Sequence, residues 1–263
     1  MSRLSLRPVV ALTCSVALGC AGGFTSSSSS SGEPPSPPVA QTVDAQGATL
    51  VAVENRYGVN TILGESRTDV LVTPLLQATR DSSRARLHEV TLRAERKDGR
   101  VEVATMVPAD LSDVTVALEL RVPASLPWDL TAAGHGVVLR GLSGGGSAQT
   151  ASGDVEGREM TGNITLATAN GSVRLETTVT SGDAVVVDSG AGDISLVIPV
   201  DTNASLTASA GGGITIRNLT FSGVNTGTEA NGSFGAGGGS IELTSSAGAI
   251  LVEGASTPDG GAG

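Results

Sequence analysis

Between residues 153 and 199, short runs of alternating aliphatic and polar residues follow glycines at 153, 162, 171, 182 and 192, in steps of 9, 9, 11 and 10. A glycine turn followed by about five strand-forming residues, repeated at this spacing, predicts a repeated β architecture. Ile164 and Leu166 flank Thr165, Val173 and Leu175 flank Arg174, and Ile194 and Leu196 flank Ser195. Further on, Ile214 and Ile216 flank Thr215, and Ile241 and Leu243 flank Glu242. Successive strand residues face opposite sides, so each such triplet sends two aliphatics inward and one polar residue outward.

Alternate units start at Gly153, Gly171, Gly192 and Gly213, in steps of 18, 21 and 21 residues. One coil of a flattened parallel β-helix, or solenoid, holds two such strands and two turns. No coil buries its apolar face alone, so coils must stack. An antiparallel β-sandwich is the runner-up, because hairpins give the same spacing. Aromatics are only 2% of the chain, while glycine supplies 36 of 263 residues. A narrow core of Val, Ile, Leu and Ala with many tight turns suits stacked coils better than a sandwich.

The chain divides into four parts: a leader (1–19), a tether (20–46), the β domain (47–253) and a loose tail (254–263). In the leader, Arg3 and Arg7 precede an apolar run from Val9 to Leu18, too short for a comfortable membrane span. Ala17-Leu18-Gly19-Cys20 resembles a bacterial lipobox, with Ala17 standing where Leu is usual. The resemblance implies cleavage before Cys20, lipidation of Cys20, and an outer-membrane lipoprotein of the bacterial envelope. An ordinary signal peptide that leaves Cys20 over is the alternative. Cys14 departs with the leader, so no internal disulfide is possible. The Ser run and the Pro34-Pro35 and Pro37-Pro38 pairs hold too few apolar groups to offset ordering.

Within the β domain, strands are expected at 50–53, 60–63 and 70–72, with Pro74 ending the third. Residues 75–86 read as a short helix or a solvated excursion. A hairpin is expected over 87–107 around Asp98-Gly99. Its interspersed charges mark a solvated face. The longest alternation runs from Val114 to Val122. Trp128, the only Trp, is expected to pack at the entrance to the repeats, with a ligand platform as the alternative. Residues 217–239 break the rhythm and read as a mobile glycine-rich loop, either a tolerated insertion or a binding loop.

Charge excludes one class of partner. After residue 150 there are three basic residues, Arg158, Arg174 and Arg217, against twelve acidic ones. Phosphate contacts need cations, so nucleic-acid binding is not expected. No cofactor, metal or enzymatic activity is expected either. His88 and His135 are the only histidines, and no G-x-S-x-G elbow is present. A hydrolase would need one of them beside a Ser and a carboxylate. The Gly-Asp pairs at 153–154, 182–183 and 192–193 read as turns that bond their own backbone rather than calcium ligands.

Ser152-Gly153-Asp154-Val155, Ser181-Gly182-Asp183, Ala191-Gly192-Asp193-Ile194 and the strand end Val122-Pro123-Ala124 together resemble the adhesin-like domain family known as DUF4097. The resemblance spans roughly 49–253 and is strongest from 114 to 216. It implies a parallel β-solenoid in a bacterial envelope protein with no catalytic residues. The expected function is a lipid-anchored binding or adhesin-like scaffold, with an envelope protein or glycan as partner and the membrane engaged through lipid. A self-assembling structural envelope lipoprotein is the alternative.

Overall fold

The computed structural model describes residues 36–255, and Cys20 and the leader lie outside them. The first strands are β1 (Gln41–Asp44), β2 (Leu50–Asn55), β3 (Asn60–Glu65) and β4 (Asp69–Ala78). A short helix, α1 (Asp81–Arg84), and a 3₁₀ turn at Leu87–Glu89 precede β5 (Thr91–Lys97), β6 (Arg100–Met106) and β7 (Val114–Pro123). The middle holds β8 (Trp128–Ala132), β9 (Val137–Arg140), β10 (Gly146–Ser152), β11 (Val155–Thr161), β12 (Ile164–Asn170), β13 (Val173–Thr178), β14 (Ala184–Ser189) and β15 (Ile194–Pro199). The last are β16 (Ala204–Ala210), β17 (Ile214–Arg217), β18 (Phe221–Asn225), β19 (Glu229–Phe234), β20 (Gly239–Ser245) and β21 (Ile250–Ala255).

The chain is all-β, and its repeats stack in parallel. Sheet A has 10 strands and sheet B has 11. From β8 to β15 each coil gives one strand to sheet B and the next to sheet A. In sheet B, β8, β10, β12 and β14 pair in that order. In sheet A, β9, β11, β13 and β15 do the same. The ribs from 153 to 199 are therefore not antiparallel hairpins. Register aligns like with like: Leu130, Ala148, Leu166 and Val187 stack inside sheet B, and Val137, Val155, Val173 and Ile194 inside sheet A. Both rows are buried and join one core.

The coil order departs from the sequence at both ends. The expected neighbour of the Gly192 coil was the Gly213 coil. Instead β20 lies between β14 and β16, and β21 lies between β15 and β17. The last coil of the chain is thus interior. At the other end, β2 lies between β6 and β8, and β3 between β7 and β9. Aliphatic alternation makes every coil a match for every other, so the pattern cannot encode who sits beside whom.

Three further expectations are corrected. Residues 217–239 contain β18 and β19, an antiparallel pair that joins β16. Phe221 and Phe234 meet there with ring centroids 5.6 Å apart. Pro74 does not end its strand, which runs on to Ala78. The pairing of β4 with β1 stops at Val72, so beyond it β4 is an edge where a missing N–H is tolerated. β1 falls within the expected tether, and β21 extends two residues into the expected tail. The hairpin around Asp98-Gly99 is present as β5–β6, with φ of 50° and 78° at the turn.

Candidate functional site

The corners between sheet B and sheet A are built from a recurring hydroxyl and glycine. Thr150, Thr168, Ser189 and Ser245 stack in register at the ends of β10, β12, β14 and β20, and all four are buried. Ser189 Oγ accepts from the Gly192 amide at 2.9 Å and donates to the Gly171 carbonyl of the neighbouring coil at 2.9 Å. Ser245 does the same with Gly248 at 3.0 Å and Gly192 at 2.9 Å. Thr168 donates to the Gly153 carbonyl at 3.2 Å. A short side chain closes its own turn and clips the next coil in one move. In the β2–β3 coil, buried Asn55 takes this place, donating to Asn60 Oδ1 and to the Val116 carbonyl.

The Gly-Asp pairs serve the same end. Asp154 Oδ1 accepts from the Ser172 amide at 2.8 Å and Asp193 Oδ1 from the Ala249 amide at 2.7 Å. These bonds cross to the adjacent coil rather than closing the residue's own turn. Asp183 alone behaves as expected, bonding the Thr180 amide and hydroxyl at 2.8 and 2.6 Å. Among the described residues, no group of three His, Cys, Asp or Glu is placed to hold a metal ion.

His88 lies in the 3₁₀ turn and His135 in the β8–β9 turn. The Asp113 carboxylate accepts from Ser83 Oγ at 2.6 Å and from the Arg80 amide at 2.8 Å. Ser83 and then the Arg80 amide hold its pKa below the usual carboxylate range. The Arg86 guanidinium likewise depresses Glu89 and Asp110. These groups pin the 80–90 excursion to the 108–113 loop. Trp128 is 1% exposed, so it is core and not a platform. Its indole lies over Gly146, where a Cβ would come within 2.6 Å of the ring.

What remains for recognition is surface. The outer face of sheet B carries two rows in register. One runs Glu102, Ala52, Asp129, Ser147, Thr165, Val186, Glu242, Thr207. The other runs Ala104, Glu54, Thr131, Gln149, Ala167, Asp188, Thr244, Ser209. Across these eight strands neither row holds a cation, although Arg93 of β5 stands next to Ala104 at one end and Arg56 pairs with Glu54 at 2.9 Å. Small residues keep the face low, and its carboxylates and hydroxyls offer hydrogen bonds from β6 to β16. A shallow 450 Å³ trough crosses it, with Thr131, Gln149 and Asp188 above a floor of Ala151, Ala167 and Gly190. On sheet A, a 360 Å³ groove with Val197 and Pro199 in its floor carries Glu159 and Glu176 at its rim. Glu159 has φ of 55° at a bulge in β11.

No family model matches this chain, and no curated protein does. Among solved structures, it is similar to a "putative cell adhesion protein" of Clostridium sporogenes at 15% identity and a TM-score of 0.45, over 83% of this chain and 100% of that one. It is also similar to a "putative adhesin" of Bacteroides fragilis at 13% identity and a TM-score of 0.42, over 83% and 98% of the two chains. A third is a "putative lipid binding protein" of Parabacteroides distasonis at 10% identity and a TM-score of 0.31, over 83% and 95%. Among the described residues, no helix is long and apolar enough to cross a membrane.

Proposed function

We propose that the chain is a non-enzymatic, adhesin-like binding scaffold of the bacterial envelope, held to the outer membrane by lipid on Cys20. The observation that carries the reading is the outer face of sheet B. Its two rows are continuous across eight strands and free of cations. A face of this kind repels phosphate-rich partners and suits a neutral glycan or a basic protein surface. The anchor rests on the lipobox-like Ala17-Leu18-Gly19-Cys20 and the Ser/Pro-rich stretch after it.

Two measurements test the two halves. Palmitate labelling of the full chain in cells should be lost in Cys20→Ala, and labelling that persists would remove the anchor. Binding to purified envelope glycans and outer-membrane proteins should fall at least tenfold in Thr165→Arg/Thr207→Arg, because two cations then stand on the sheet B face. Ser195→Arg, on sheet A, should leave it unchanged. Equal loss in both variants, or none in either, would sink the face assignment.

A further inference from the structure

The two sheets end in four edge strands, β1 and β5 at one end and β17 and β18 at the other, and β4 beyond Val72 is a further open edge that carries Pro74, which has no N–H to offer a partner. An open edge pairs with another chain unless it is short, charged or covered. β5 is charged at Arg93, Glu95, Arg96 and Lys97. β1 is four residues long and closes on Asp44. β17 is partly covered, since the Ile214 amide donates to the Gly227 carbonyl at 2.6 Å. β18 has none of these protections. Its sequence Phe-Ser-Gly-Val-Asn is uncharged. Ser222 to Asn225 are exposed, with Val224 66% exposed.

We propose that β18 pairs antiparallel with β18 of a second copy of the chain, about a two-fold axis at Gly223. Ser222 then lies opposite the partner copy's Val224, and no like charges face each other. Because the far-end edges are blunted, the contact closes at two copies and does not propagate. The pairing needs no anchor, so it does not depend on the anchored-scaffold reading.

The test uses the full chain with Cys14→Ser and Cys20→Ser in sedimentation equilibrium. A concentration-dependent dimer is expected. It should tighten several-fold as salt rises from about 0.01 M to 0.15 M, because the acidic halves then repel less. Ser222→Glu/Val224→Glu should weaken it at least tenfold with an unchanged urea midpoint. Mixing that variant with Ser222→Lys/Val224→Lys should restore a heterodimer, which a merely misfolded hairpin would not do. Lys97→Glu, on the β5 edge, should have no effect. A monomer at every concentration, or charged variants that dimerise as well as the parent, would overturn the pairing.

Discussion

Gly192 sits where a methyl group has no room. A Cβ there would lie 2.1 Å from the Gly171 carbonyl, and one at Gly171 would lie 2.1 Å from the Gly153 carbonyl. The glycines were legible as corners, but their reason was not. They permit backbone to touch backbone between coils. Gly192→Ala should destabilise by about 3 kcal/mol, the upper end of the range for overpacking a tight core, because backbone rather than a side chain blocks the methyl. Gly182→Ala meets open space at φ of 91° and should cost only about 1–2 kcal/mol of backbone strain. Urea denaturation followed by the buried Trp128 compares the two, and equal midpoints would contradict the account. The hydroxyl three residues before each corner, at Thr168, Ser189 and Ser245, was also in plain text. It went unread because its second partner belongs to another coil. Ser189→Ala strands the Gly192 amide and the Gly171 carbonyl and should lower stability by about 1–3 kcal/mol, measured the same way.

At the scale of elements, what was legible was alternation. The runs at 50–53, 60–63 and 114–122 are strands, as are both arms of the 91–106 hairpin. β18 and β19 escaped because glycine, serine and asparagine carry weak strand preference. They are strands because β16 offers an edge and Ala230 and Phe234 find a buried place. Tertiary pairing decides such segments, not propensity. The excursion around α1 is held differently, by charge. Asp113, Glu89 and Asp110 all have folded pKa values below their ordinary ones. Depressed carboxylates add stability above their unfolded pKa and lose it as pH falls through the folded value. Residues 80–90 should therefore loosen as pH falls below about 4, the ordinary carboxylate value, while the coils hold. Amide chemical shifts of Arg80 against the β8–β15 amides would show it, and Asp113→Asn should abolish the Arg80 step. Simultaneous loss of both sets would refute the local picture.

For the whole molecule, stacking was readable and order was not. The coils at 241–243 and 250–252 look like any others, yet they fill an interior place. A chain ending at residue 238 should therefore lose far more than its last coil. β14 and β16, and β15 and β17, would each face a gap one strand wide. Circular dichroism and urea denaturation should find the strand content of β16 to β19 lost along with that of β20 and β21, because only β20 and β21 tie them to the stack, and a native-like transition would disprove the interlocked order.

The segment that crosses to that place, Gly235 to Gly238, bridges the start of β16, where Asn203 Oδ1 holds the Ala236 amide at 2.9 Å. A protease that cuts the finished protein there would release nothing. The severed C-terminal piece would stay wedged between its neighbours by four ladders, so a cut in this turn would leave the molecule in service.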